Sequence, residues 1–385
     1  MNTWQSVKVA ELGRVVTGKT PKTAIAENYG GDVPFLTPSD DMSVKYVSKT
    51  AKTLTEKGLS EVKNTLLPPD AVCVSCIGSD LGKVVITTKN TVTNQQINSI
   101  IVDKERFDVS FVYYAMLILG KELNFISKTS TAVPIVNKSS FSSYEIQCPS
   151  LEQQKRISAI LSALDSKIEC NQKINDNLHE ILQSVFQSRF GLSEESARVG
   201  TLLEICAYSK DRVAVSKLGV KNYYSTENML PSKAGSVDAA SLPTTSQTTK
   251  CNIGDVLVSN IRPYFKKIVF CQSEGGCSTD VLCFTPKSPL LSSYLFCTLY
   301  ADSFFNYMVA GSKGTKMPRG DKQQIMTYPV VIPTEDELRA FDEVAQPILR
   351  QIHINSDENT YLAALRDTLL PKLMSGEIDV SDIQL

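Results

Sequence analysis

The chain carries one pattern twice, 184 residues apart, and nothing else in it restricts the fold as much. Thr131, Pro134 and Lys138 return as Thr315, Pro318 and Lys322. Pro149 returns as Pro333, each followed by acids (Glu152; Glu335, Asp336 and Glu337). Ile168, Asn171, Asn175 and Leu178 return as Ile352, Asn355, Asn359 and Leu362. Upstream, Asp70, Val72, Val74 and Ser75 resemble Asp255, Val256, Val258 and Ser259, one residue out of step. A repeat of this length is too long for a solenoid and is the size of a domain.

The reading is A–h–A′–h′: globular segments at 1–148 and 193–332, helical segments at 149–192 and 333–385. In A, strand-like runs at Val33–Leu36, Ala71–Ile77, Lys83–Thr88 and Ile97–Val102 alternate with turn signals, and an amphipathic helix follows at Ser110–Asn124. A′ repeats this with Val256–Asn260, Lys267–Cys271, Val281–Phe284 and a helix near Pro289–Asn306. Each h segment opens with Pro-Ser or Pro-Thr plus acids, a helix-start signal.

Apolar residues then recur in steps of four and three. The first seam is Ile157, Leu161, Leu164, Ile168, Asn171, Asn175, Leu178 and Leu182; the second is Ile348, Ile352, Asn355, Asn359, Leu362 and Leu369. A seam asparagine is costly without a partner and so tends to fix register. Antiparallel pairing sets Asn171 against Asn359 and Asn175 against Asn355. Pro347 is expected to kink or split the second helix near its start. The fold class is therefore α+β: two pseudo-symmetric domains of mixed β-sheet plus helices, joined by two long helices in an antiparallel coiled coil. A pseudo-twofold molecule suits a pseudo-symmetric partner such as duplex DNA.

The charge balance neither supports nor forbids this. Forty basic against 41 acidic residues leave a net charge of −1, so any nucleic-acid contact must be local. Basic runs lie at Ser43–Lys63, Arg262–Lys267 and Gly311–Lys322. No secretory signal is visible, and Phe111–Leu119, the most apolar stretch, is too short to span a bilayer. The ten cysteines then read as small core hydrophobes of a cytoplasmic protein.

Catalytic signals are thin. The two histidines, His179 and His353, lie on the helices at non-equivalent positions and read as surface or partner-facing. Cys73 and Cys76 form a C-x-x-C inside a strand-like run, where alternation sends the sulfurs to opposite faces. Gly78–Lys83 is one residue short of a P-loop and reads as a turn between strands.

The run Pro149-Ser150-Leu151-Glu152-Gln153-Gln154-Lys155-Arg156-Ile157, then Leu164-Asp165-Ser166-Lys167-Ile168 and Asn171, resembles the central conserved region of type I restriction–modification specificity (S) subunits. Leu365 to Glu377 resembles their distal region. The resemblance implies that 1–148 and 193–332 are target recognition domains, each reading half of a bipartite DNA site. It implies that the helices set the spacer and dock two modification subunits. It implies no catalysis in this chain, S-adenosylmethionine on the methyltransferase partner, and ATP and Mg on a restriction partner if one exists.

Base and phosphate contacts require exposed polar and cationic loops. The candidates are Lys19, Thr20, Lys22, Ser79, Lys83, Lys128, Ser130 and Thr131 in A. In A′ they are Arg262, Tyr264, Lys266, Lys313, Thr315, Lys316 and Arg319. A coiled-coil-bridged protein scaffold without DNA readout, and a nuclease built from scattered carboxylates, remain the alternatives.

Overall fold

The computed structural model describes residues 4–78, 81–129, 135–191, 198–381 and 383. The chain divides into two compact units, 1–168 with 361–385, and 169–360. Each unit thus takes part of both long helices. The central helix runs Leu151–Phe190 and the distal helix Glu335–Met374. Both hold 40 residues, about 60 Å at 1.5 Å per residue, and both ends differ by 184.

In the first unit, strands β1 (Gly13–Thr17), β2 (Tyr46–Val47), β3 (Ala71–Ser75), β4 (Val84–Thr87) and β5 (Ile97–Val102) form a sheet of order β1-β5-β3-β4-β2. β3 and β4 are rich in β-branched residues and buried on both faces. Val72, Val74, Val84 and Ile86 enter the main core with Phe111, Tyr114 and Met116 of the helix Val109–Thr129. Ala71, Cys73 and Val85 enter a second cluster on the other face. Cys73 and Cys76 do part company: Cys76 belongs to the main core. Burial pushes the Cys73 thiol up to about 12, so it stays protonated and inert.

In the second unit, β6 (Cys206–Tyr208), β7 (Val256–Ser259), β8 (Ile268–Phe270) and β9 (Val281–Pro286) form a sheet of order β6-β9-β7-β8. Its pairing repeats the first. Val72↔Ile86 in β3–β4 becomes Val256↔Phe270 in β7–β8, and Val72↔Ile100 becomes Val256↔Phe284. The valines are therefore in step at 184, and only the aspartate is displaced. Asp70 sits at φ +66 where the second unit has Gly254 at φ +87. The bend before the strand demands a left-handed residue, which glycine supplies without steric cost.

The expected helix near Pro289–Asn306 is broken. Ser292–Tyr300 and Asp302–Ala310 are separate helices, because Ala301 is extended and the Asp302 carboxylate turns to two lysines, Lys233 (2.6 Å) and Lys266 (3.1 Å). Its first-unit counterpart, Val109–Thr129, is continuous.

The helix starts follow their signals. Thr334 and Glu337 form a reciprocal cap, the Thr334 amide donating to Glu337 at 2.8 Å. Pro347 does not split the distal helix. Phe341, Ala345 and Leu349 on its buried face are 0–3% exposed, and that packing outweighs one missing backbone donor.

Within each unit the two long helices run antiparallel. In the second, Asn171 Nδ2 donates to Asn359 Oδ1 (2.9 Å) and to the Glu358 carboxylate (2.7 Å). Asn355 Nδ2 donates to Asn175 Oδ1 (2.8 Å), and Asn175 donates to the Ile352 carbonyl (3.2 Å). Leu182, Phe186 and Phe190 join Phe341 and Tyr294 in an aromatic core. In the first unit Ile157 and Leu161 meet Leu370, Leu373 and Met374. There Arg366 Nη1 donates to Asp165 Oδ1 at 2.9 Å.

Candidate nucleic-acid interface

The repeat extends into the loops that follow the central strands β3 and β7. In the first unit the Ser75 amide donates to the Lys83 carbonyl and the Cys76 amide to the Gln96 carbonyl, and Ile77 bridges Ile135. In the second, Ser259 donates to Lys267, Asn260 donates to Asp280, and Ile261 bridges Arg319. Every partner is shifted by 184. Three loops are therefore gathered twice in the same way: a turn after the buried strand, the approach to the next long strand, and a segment returning from the helix.

In the second unit this gathering unites the two basic candidate clusters. Lys313 and Arg319 exchange backbone hydrogen bonds (2.9 and 3.0 Å), making a hairpin whose tip carries exposed Thr315 and Lys316. The Arg262 amide donates to the Pro318 carbonyl at 2.8 Å, holding the hairpin to the turn Pro263–Phe265. Tyr264 and Phe265 are 50% and 40% exposed with ring centroids 4.8 Å apart. Arg262 and Lys266, flanking that turn, adopt left-handed φ of +48 and +51. Such a conformation costs a non-glycine residue about 1–2 kcal/mol.

Charge in this region is partly matched. Lys313 lies 2.6 Å from Asp321, and Arg319 lies 3.2 Å from Asp280. These exposed pairs are worth roughly 0–1 kcal/mol, so a phosphate or base can displace them. Lys266 is matched likewise, its ammonium meeting Asp302 at 3.1 Å, with the Asp302 side chain 61% exposed. Lys233 and Lys266 hold the Asp302 carboxyl below the usual range.

In the first unit Thr20 Oγ1 donates to Gln95 Oε1 at 2.6 Å and the Lys19 amide to the Thr93 carbonyl at 2.9 Å. The Lys22 amide donates to Glu61 at 3.0 Å, and the side chains of Lys19, Lys22 and Lys83 are exposed. Gly82 and Gly120 approach so closely that a Cβ on either would lie 2.1 Å from the other's carbonyl oxygen; Gly78 and Gly82 flank the link from β3 to β4. Lys128 falls on the helix Val109–Thr129, beyond the side chains described. Ser79, Ser130 and Thr131 lie outside the described residues.

The family model for the type I restriction modification DNA specificity domain matches residues 1–180. The MjaIX type I restriction enzyme specificity subunit of Methanocaldococcus jannaschii is 25% identical, covering 99% of this chain and 94% of that one. The HindI specificity subunit of Haemophilus influenzae is 35% identical over 43% of this chain and 37% of its own. The chain is thus similar, over its whole length, to type I restriction enzyme specificity subunits. The crystal structure of the S subunit from M. genitalium shares its fold, with a TM-score of 0.61 and 16% identity over 97% of this chain and 96% of that one.

Two features of the site and its surroundings escaped the sequence. Gln95 and Gln96 sit in the loop gathering with Thr20, yet a lone Gln pair carries no signal without the register that brings it there. His179 is half-buried rather than exposed. Its ring stacks on Tyr300 (4.6 Å, 12°) beside Phe296, and burial drags its pKa down to about 4. His353 stays exposed, 3.5 Å from Asp357.

Proposed function

We propose that this chain reads a bipartite duplex site, one half through each loop gathering. The observation that carries this reading is the recurrence of the three-loop arrangement at a 184-residue shift, with cations and hydrogen-bonding side chains on both copies. Arg262 and Arg319 suit bidentate contact to guanine, Thr20 and Gln95 suit base edges, and Lys19, Lys22, Lys83, Lys313 and Lys316 suit phosphates. The chain is the non-catalytic reader. The central and distal helices set the spacing and dock two modification subunits. S-adenosylmethionine belongs to those subunits, and ATP with Mg to a restriction subunit where one is present. The setting is the cytoplasm. Domain boundaries at 148, 192 and 332 fit this reading.

Sequencing adenine methylation in a host carrying the gene with its methyltransferase partner is expected to reveal a gapped motif. With that site, binding by the assembled complex falls steeply with salt. Alanine at Lys313, Lys316 and Arg319 together reduces the log–log salt slope by about 0.9 for each phosphate that is no longer neutralised. A flat salt response in the wild type points instead to a scaffold that does not bind DNA.

A second expectation concerns the seam. Leucine at both Asn171 and Asn359 leaves the chain folded but removes the amide pair that penalises other registers. Light scattering is expected to detect swapped dimers, or methylation a changed spacer. A monomer with the original spacer counts against the registering role.

A further inference from the structure

Among the described residues, five non-glycines have left-handed φ, and four of them meet at one junction: Ser232, Lys233, Arg262 and Lys266. The first unit shows that this backbone needs no such residues. Its equivalent turn places Gly78 (φ +82) and Gly82 (φ +90) where the second has Arg262 and Lys266. The strain-free solution exists within the same chain, and the second unit departs from it.

The departure has two consequences. Backbone hydrogen bonds clamp the turn from both sides: Arg262 to Pro318, Phe265 to Arg262, Ser232 to Phe265 and Lys233 to Lys266, all 2.8–2.9 Å. The clamp then presents two aromatic rings to solvent. The first-unit counterpart of Phe265 is Leu81, which is 1% exposed and points into its own core. Met317, 47% exposed, stands on the neighbouring hairpin. Arg262 Nε is buried and has no hydrogen-bond partner. Exposed Lys313, Lys316 and Arg319 share that hairpin, which the Arg262–Pro318 hydrogen bond ties to the turn.

We propose that Tyr264 and Phe265 form a rigid wedge that enters the base stack of the half-site read by the second unit. Rigid apolar side chains beside a cationic hairpin fit a base step, because the rings meet base faces while the cations hold nearby phosphates. The clamp has already ordered the turn, so insertion carries little entropic penalty. The first unit, with Gly78, Gly82 and an inward Leu81, has no such wedge among its described residues. Unstacking is therefore confined to one half-site. This inference rests on the DNA-reading role.

The test uses the complex assembled with its modification subunits and the site defined by methylation. 2-Aminopurine is placed in turn through both half-sites, away from the methylated adenine. Enhanced fluorescence is expected at one step in one half-site, and permanganate oxidation of thymines maps to the same step. Tyr264→Ala with Phe265→Ala abolishes that signal and weakens binding about ten- to a hundredfold, while Phe265→Leu retains part of the signal. The wedge is overturned if bound wild-type complex shows no unstacked step, if both half-sites respond alike, or if the double alanine variant leaves the signal unchanged. It is likewise overturned if a modification subunit protects the two rings before DNA is added. Absence of all salt-dependent duplex binding by the wild type would instead remove the reading on which the wedge depends.

Discussion

Replacing Arg366 with leucine is expected to lower the stability of the first unit by roughly 1–3 kcal/mol, the usual effect of leaving a half-buried acceptor without its partner. Asp165, whose side chain is 15% exposed, accepts from Arg366 and from the Tyr114 hydroxyl. Lys45 closes the cluster, donating to Ser162 Oγ at 2.7 Å and lying 4.6 Å from the Tyr114 ring centroid. Burial drags the Lys45 amine down to about 8, against the pull of Asp165. Without Arg366 the carboxylate keeps only a hydroxyl and a reluctant ammonium.

The second unit shows another solution at the same positions. The counterparts of Asp165 and Arg366 at a shift of 184 are Leu349 and Leu182, 3% and 0% exposed. Leucine at both Asp165 and Arg366 should therefore recover most of the stability, since well-packed apolar pairs commonly match buried ion pairs. Urea unfolding of the two single variants and the double variant measures the coupling. A double variant as weak as Arg366→Leu would show that the polar cluster cannot be exchanged for its apolar counterpart.

Acidification is expected to destabilise the second unit through His179, by up to about 3 kcal/mol between pH 6.5 and 4. The sign follows from proton binding. The unfolded imidazole takes up its proton near 6.5, whereas the folded one, held against Tyr300 with Lys233 nearby, resists until about 4. Between those values the unfolded chain binds more protons, so stability falls as the pH falls. Above 6.5 the contribution is intact, and below 4 it is fully lost. His179→Phe keeps a ring on Tyr300 and removes the titration. Its unfolding midpoint should track the wild type above pH 7 and exceed it progressively below 6. Parallel curves for the two proteins would show that another group carries the acid sensitivity.

Much of the architecture was legible in the sequence. The duplicated spacing, the proline-led helix starts and the seam asparagines depend only on local pattern and on symmetry, and Asn171–Asn359 and Asn355–Asn175 are the pairs that form. The loop site was legible only as scattered cations. Lys266 looked like its neighbours in sequence, and its pairing with Asp302 arises only through the fold. Pro347 looked like a break, but Phe341, Ala345 and Leu349 hold the helix through it. His179 looked exposed because Tyr300 lies far along the chain and approaches only through the fold.

Periodicity and repetition are one-dimensional properties, and they determined by themselves the two units, the two 40-residue helices and their antiparallel register. Tertiary structure decided what one dimension cannot express: which turn takes glycines and which bears strain, which cation faces solvent, and whether equivalent seam positions hold an ion pair or two leucines. These outcomes depend on through-space neighbours and local dielectric, so identical spacings in the two halves end in different chemistry.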